Sequence, residues 1–75
     1  MDLAEALKSF QDHAGVNYPQ CQQQASRAWR ELRHHLTRSE LSSLSTAWSH
    51  ATTPANASRV ELDDVCAEIR EARGL

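Results

Sequence analysis

The chain has 75 residues, 40% of them hydrophobic, and a formal net charge of −2, which suits one small domain whose surface stays largely in water. So small a net charge predicts no general attraction to polyanions, and two cysteines are too few for a disulfide-stapled secreted scaffold. No apolar run approaches the length of a bilayer and the start at Met1-Asp2 lacks a basic or apolar leader, so the sequence predicts a cytoplasmic protein without a membrane segment. On that expectation the glycosylation-type match Asn56-Ala57-Ser58 is a chance one.

The first predicted helix covers residues 3–14. Asp2-x-x-Glu5 opens it as a capping box, in which the cap oxygen accepts from the N3 amide and the glutamate reaches back to the cap amide. Leu3, Leu7, Phe10 and Ala14 recur on one helical face. Gly15 then supplies the left-handed residue that closes a helix, with Val16 placed for the accompanying apolar contact.

The second predicted helix covers residues 19–35. Pro19 is tolerated in a first turn, where its missing amide would have been unpaired anyway. Cys21, Ala25, Ala28, Trp29, Leu32 and Leu36 form the apolar side, opposite a polar and basic side with Gln22, Gln23, Ser26, Arg27, Arg30, Arg33 and His34. An unbroken stripe after Leu36 would next use Glu40, Ser43 and Ala47. The large apolar residues fall instead at Leu41, Leu44, Trp48 and Ala51, a phase change of about 100° that predicts a break near Thr37. Thr37-x-x-Glu40 is a second capping box, and Leu36 and Leu41 occupy the positions of a hydrophobic staple.

The third predicted helix covers residues 38–51 and ends before Thr52-Thr53-Pro54, because a residue ahead of proline is pushed toward extended backbone. Its stripe mirrors that of the second helix, pairing Leu36 with Leu41, Leu32 with Leu44, Trp29 with Trp48 and Ala25 with Ala51. That symmetry predicts a central antiparallel hairpin with the indoles close together. The fourth predicted helix covers residues 58–73, opens with a third box at Ser58-x-x-Glu61, and carries Leu62, Val65, Cys66 and Ile69 on one face. Nothing alternates with period two, so the fold class is all-α: a small four-helix bundle in a single helical domain, residues 1–75.

The candidate chemistries are thin. Glu31-x-x-His34 resembles half of a di-iron helix pair, but a second such pair is missing, and the adjacent His34 and His35 point about 100° apart on a helix. No Cys-x-x-Cys or His-x-x-x-His spacing appears. Ser49 and His50 are neighbours in sequence, which turns their side chains apart, while Cys21 and Cys66 lie on apolar stripes. The sequence therefore predicts no metal, no cofactor and no catalysis. Helix one, the most regular amphipathic stretch, is acidic, which argues against a membrane surface.

Charge is unevenly spread. Asp2, Glu5 and Asp12 against Lys8 put residues 1–15 at −2; Arg27, Arg30, Arg33 and Arg38 against Glu31 and Glu40 put residues 16–57 at +2. Five acids against Arg59, Arg70 and Arg73 return residues 58–75 to −2. Internal pairing between the helices is the first expectation from that pattern. The functional expectation is a small protein-binding regulator, inhibitor or adaptor, contacting a protein partner or a second copy as a homodimer through Arg27, Arg30, Arg33, Arg38, Glu61, Asp64 and Glu68. Nucleic acid is the alternative ligand for the same arginines. Against it, the candidate reading helix offers base edges mainly Ser42, Ser43, Thr46 and Ser49.

Overall fold

Both halves of the Thr37 box are formed in the computed structural model, which describes residues 2–52 and 59–75. The Thr37 amide donates to Glu40 Oε1 at 2.9 Å and the Glu40 amide donates to Thr37 Oγ1 at 3.2 Å. At the chain's start the Glu5 amide donates to Asp2 Oδ1 at 2.8 Å. The third box, at Ser58, and the glycosylation-type Asn56 lie outside the described residues.

The described residues form four helices, α1 Leu3–His13, α2 Pro19–Leu32, α3 Arg38–Thr52 and α4 Arg59–Arg73, and no strand. The architecture is the small all-helical bundle expected from the apolar periodicities. α2 stops at Leu32 rather than continuing to residue 35. Its continuation tightens into three-residue turns, with the His34 amide on the Glu31 carbonyl and the His35 amide on the Leu32 carbonyl, both at 3.0 Å. Tightening the last turn satisfies carbonyls that an α-helical end leaves open while the chain turns toward α3. Gly15 closes α1 at φ +82°, and a Cβ built there would lie 3.1 Å from the Ala51 Cβ. The position requires glycine on two counts, its backbone and the close approach of α3.

One apolar cluster holds the helices together, and its largest fully buried members are Phe10, Leu7, Leu32, Leu44, Leu62 and Cys66. On α3 the buried line is Leu44, Ala47 and Ala51, with Leu41 and Trp48 packed at its edge. Ala47 is thus a core residue, although large-residue phase alone does not select it. The close backbone pairs are α1 with α2 and α3 with α4, and α1 also touches α4. The predicted hairpin of α2 and α3 is closed by side chains, since those two helices are not among the closely packed backbone pairs. Phe10 of α1 explains the spacing: its ring lies 5.8 Å from Trp29 and 5.1 Å from Trp48, while the two indoles lie 5.6 Å from each other. Edge-on and tilted aromatic contacts at such distances are favourable beyond area burial alone.

Candidate functional site

The cations of this chain sort into two groups by what their donors meet. Lys8 lies 3.2 Å from Asp12, one helical turn along α1. Arg59, at the start of α4, donates to the carbonyls of Ala14, at 2.9 Å, and Gln11. These are carbonyls at the end of α1, where a helix leaves acceptors unpaired and its dipole favours a cation. Arg70 donates to Gln11 Oε1 at 2.7 Å, and Gln11 Nε2 donates to Asp63 Oδ1 at 2.9 Å. Gln11 therefore joins an arginine and an aspartate of α4 through the two ends of one amide. Arg73 donates to Glu40 Oε1 at 2.6 Å and to the His35 carbonyl at 3.1 Å, fastening the end of α4 to the corner between α2 and α3. The Glu40 carboxyl is held below its ordinary value, first by the Thr37 amide and further by the Arg73 guanidinium, against the opposing effect of burial.

Arg27, Arg30, Arg33 and Arg38 form the second group. All are exposed, and among the described residues none has a side-chain hydrogen bond or ion pair. This corrects the expectation of general pairing between basic and acidic helices. Internal pairing exists, but it uses Arg59, Arg70 and Arg73 because α4 packs against α3 and touches α1, while α2 packs against α1 with its basic side turned outward. Arg27 and Arg30 share that outer side by their spacing of three residues, and His34, also exposed, follows in the turn just past the helix. Arg33 lies about a third of a turn away, one turn beyond Trp29, and Arg38 opens α3 past the corner. An open depression of about 570 Å³ runs along the same helix between Pro19, Gln22, Gln23, Ser26, Arg27 and Arg30.

The acids expected to contact a partner fall apart into two kinds. Glu61 is half-buried and accepts from His50 Nδ1 at 2.7 Å, tying α4 to α3. Asp64 and Glu68 are exposed and, among the described residues, have no side-chain partner; Glu71 is in the same state. The chain therefore does not bring Arg27 and Arg30 together with Asp64 and Glu68 on its own.

The other candidate chemistries are placed as follows. Cys66 is fully buried and its thiol is pushed up to about 11, chiefly by burial, while Cys21 is half-buried. Glu31 is half-buried and His34 exposed, and among the described residues no three His, Cys, Asp or Glu side chains gather as a metal site. No helix among the described residues is long and apolar enough to cross a membrane.

Sequence reading missed Gln11 and the clamp by Arg73, because each depends on which helices become neighbours. The Arg27-x-x-Arg30 spacing that marks the basic side of α2 carries no information about the neighbours of α4. Fold and surface together define a small helical bundle with one unpaired basic helix side. Comparison with protein-family models, with curated proteins and with solved structures finds no match to this chain.

Proposed function

We propose that the chain works by binding another protein through the outer side of α2, as a small non-catalytic regulator, inhibitor or adaptor. The observation that carries this reading is the division of the cations: Lys8, Arg59, Arg70 and Arg73 have partners within the chain, whereas Arg27, Arg30, Arg33 and Arg38 have none among the described residues. Arg27 and Arg30 on one side of α2, with Arg33 at its end and Arg38 past the corner, present planar, fully charged donors to carboxylates outside the chain. The binding reading over a catalytic one is supported by the interior, since no polar or charged side chain is buried among the described residues. Such a core offers no desolvated carboxylate, imidazole or amine for tuning toward catalysis, and its one thiol, Cys66, is held protonated by burial.

A nucleic-acid backbone competes for the same arginines, and the outward position of Arg38 at the start of α3 favours that second reading. The two are separated by titrating the labelled protein with a glutamate-rich helical peptide and with a short duplex DNA, reading backbone amide shifts at several salt concentrations. The peptide is expected to move the amides of Arg27 to His34, and replacing Arg27 and Arg30 with alanine is expected to weaken it about three- to tenfold. A duplex that binds more tightly than the peptide, with an affinity falling by about 0.9 log units per log unit of salt for each phosphate contact, would give the site to nucleic acid. A peptide that leaves α2 unmoved overturns the proposal.

A further inference from the structure

We infer that the acidic surface fitted by the outer side of α2 is α4 of a second copy of this chain. The inference rests on the reading of α2 as a protein-binding surface and names its partner. Arg27 and Arg30 stand three residues apart on α2 and His34 follows four residues on, in the tightened turn just past the helix; on α4, Asp64, Glu68 and Glu71 stand at four and then three. Reversing the second pattern reproduces the first. An antiparallel α4 laid along α2 therefore sets Glu71 opposite Arg27, Glu68 opposite Arg30 and Asp64 opposite His34, all in one register. Asp64 to Glu71 spans about 10 Å of helix at 1.5 Å per residue, and Arg27 and Arg30 lie within α2 proper, so their two rungs stay aligned while His34 continues the row from the turn. The antiparallel arrangement also places the helix dipoles head to tail.

All six residues are exposed, and within the chain none of their side chains has a partner among the described residues. The acids of α1 offer no equivalent row: Asp2 caps its helix and Asp12 is paired with Lys8. α2 and α4 are not among the closely packed helix pairs, so the contact joins unlike surfaces of two protomers. It extends into larger assemblies unless the rotation between protomers closes it. The surface available is modest. A standard interface takes about 800 Å² from each partner, while this protein exposes 4864 Å² in all. One helix side supplies less than that, and exposed ion pairs are weak and screened by salt, so association belongs at high protein concentration and low ionic strength.

The test uses three full-length proteins: the unmodified chain, one with Arg27→Glu and Arg30→Glu, and one with Glu68→Arg and Glu71→Arg. Their mass is followed by sedimentation equilibrium over a wide concentration range at low salt. The unmodified protein is expected to rise above 8.4 kDa with concentration. Each reversed protein alone should associate at least about tenfold more weakly, and an equimolar mixture of the two should regain association. Far-UV circular dichroism of each reversed protein checks its helicity. The neutral pairs R27Q/R30Q and E68Q/E71Q should weaken association without mutual rescue, which keeps the test open if a reversed chain misfolds. A mass fixed at 8.4 kDa throughout, association unchanged by both reversals, or a mixture that fails to recover overturns the inference. The glutamate-rich peptide separates this failure from the broader one. If it still moves α2 amides while the chain stays monomeric, only the self-pairing falls; if it does not, both readings fall.

Discussion

Arginine does opposite work at the seam between α1 and α4 and on the outer side of α2. At the seam Arg59 meets carbonyl oxygens at the end of another helix, and Arg70 reaches the same helix through the Gln11 amide. On α2 Arg27 and Arg30 meet solvent. A guanidinium whose donors are met by the chain's own acceptors contributes to holding its helices in place. One with no such acceptor contributes little to folding. The contrast also assigns the acids of α4, since Asp63 faces inward to Gln11 while Asp64, next in sequence, faces out.

The largest expected effect is on the interior that both regions share. Replacing Phe10 with alanine removes one corner of the triangle it forms with the two indoles, and large-aromatic truncations of this kind cost about 3–5 kcal/mol. A domain this small has little more than that to lose, so the variant is expected to be largely unfolded by circular dichroism in water. A variant that melts like the parent would show that the helices are held by something other than this cluster.

Next in size is the seam. Arg59→Ala strips a cation from the end of α1 and is expected to cost about 1–2 kcal/mol, seen as a melting temperature lower by about 4–8 °C for each kcal/mol. If Arg59→Ala and Arg27→Ala prove equally costly, the division between the regions collapses.

Glu40→Gln sharpens the comparison through pH. The folded-state carboxyl is held below its ordinary value of 4.5, so its contribution is present above that pH and is lost as pH falls through the folded-state value. The variant is expected to be less stable than the parent at neutral pH by less than about 1 kcal/mol. That gap should close in acid, as urea titrations at several pH values would show. A gap that widens as pH falls would contradict the role given to Thr37 and Arg73.

The smallest effect is expected on α2 itself. Arg27→Ala with Arg30→Ala should change unfolding free energy by no more than about 0.5 kcal/mol, as exposed substitutions away from structural features usually do. A loss comparable to that of Arg59→Ala would mean that those side chains serve the fold after all.

The local part of this architecture was legible in the sequence, because its causes are local. Asp2 and Thr37 announce helix starts through residues three positions away, Gly15 announces an end, and the shift of apolar phase after Leu36 announces a turn. The mirror relation of Trp29 and Trp48 brought the indoles together correctly. It did not say which backbones pack most closely, because periodicity describes the side a helix buries and says nothing of the helix that covers it. Phe10 touches both indoles, yet in the sequence it is one more apolar residue on the stripe of α1. The free arginines were legible as a basic side of α2. Their lack of internal partners was not, since it follows from which helices become neighbours: α4 packs against α3 and touches α1, while α2 packs against α1.

The indole pair has an optical consequence. Trp29 and Trp48 lie 5.6 Å apart on different helices, close enough for their electronic transitions to mix and give a paired signal in near-ultraviolet dichroism. The sign and size of that signal depend on the angle between the two rings, so a ligand that tilts α2 against α3 would register in the unlabelled protein as a colour change invisible to the eye but plain to a spectropolarimeter.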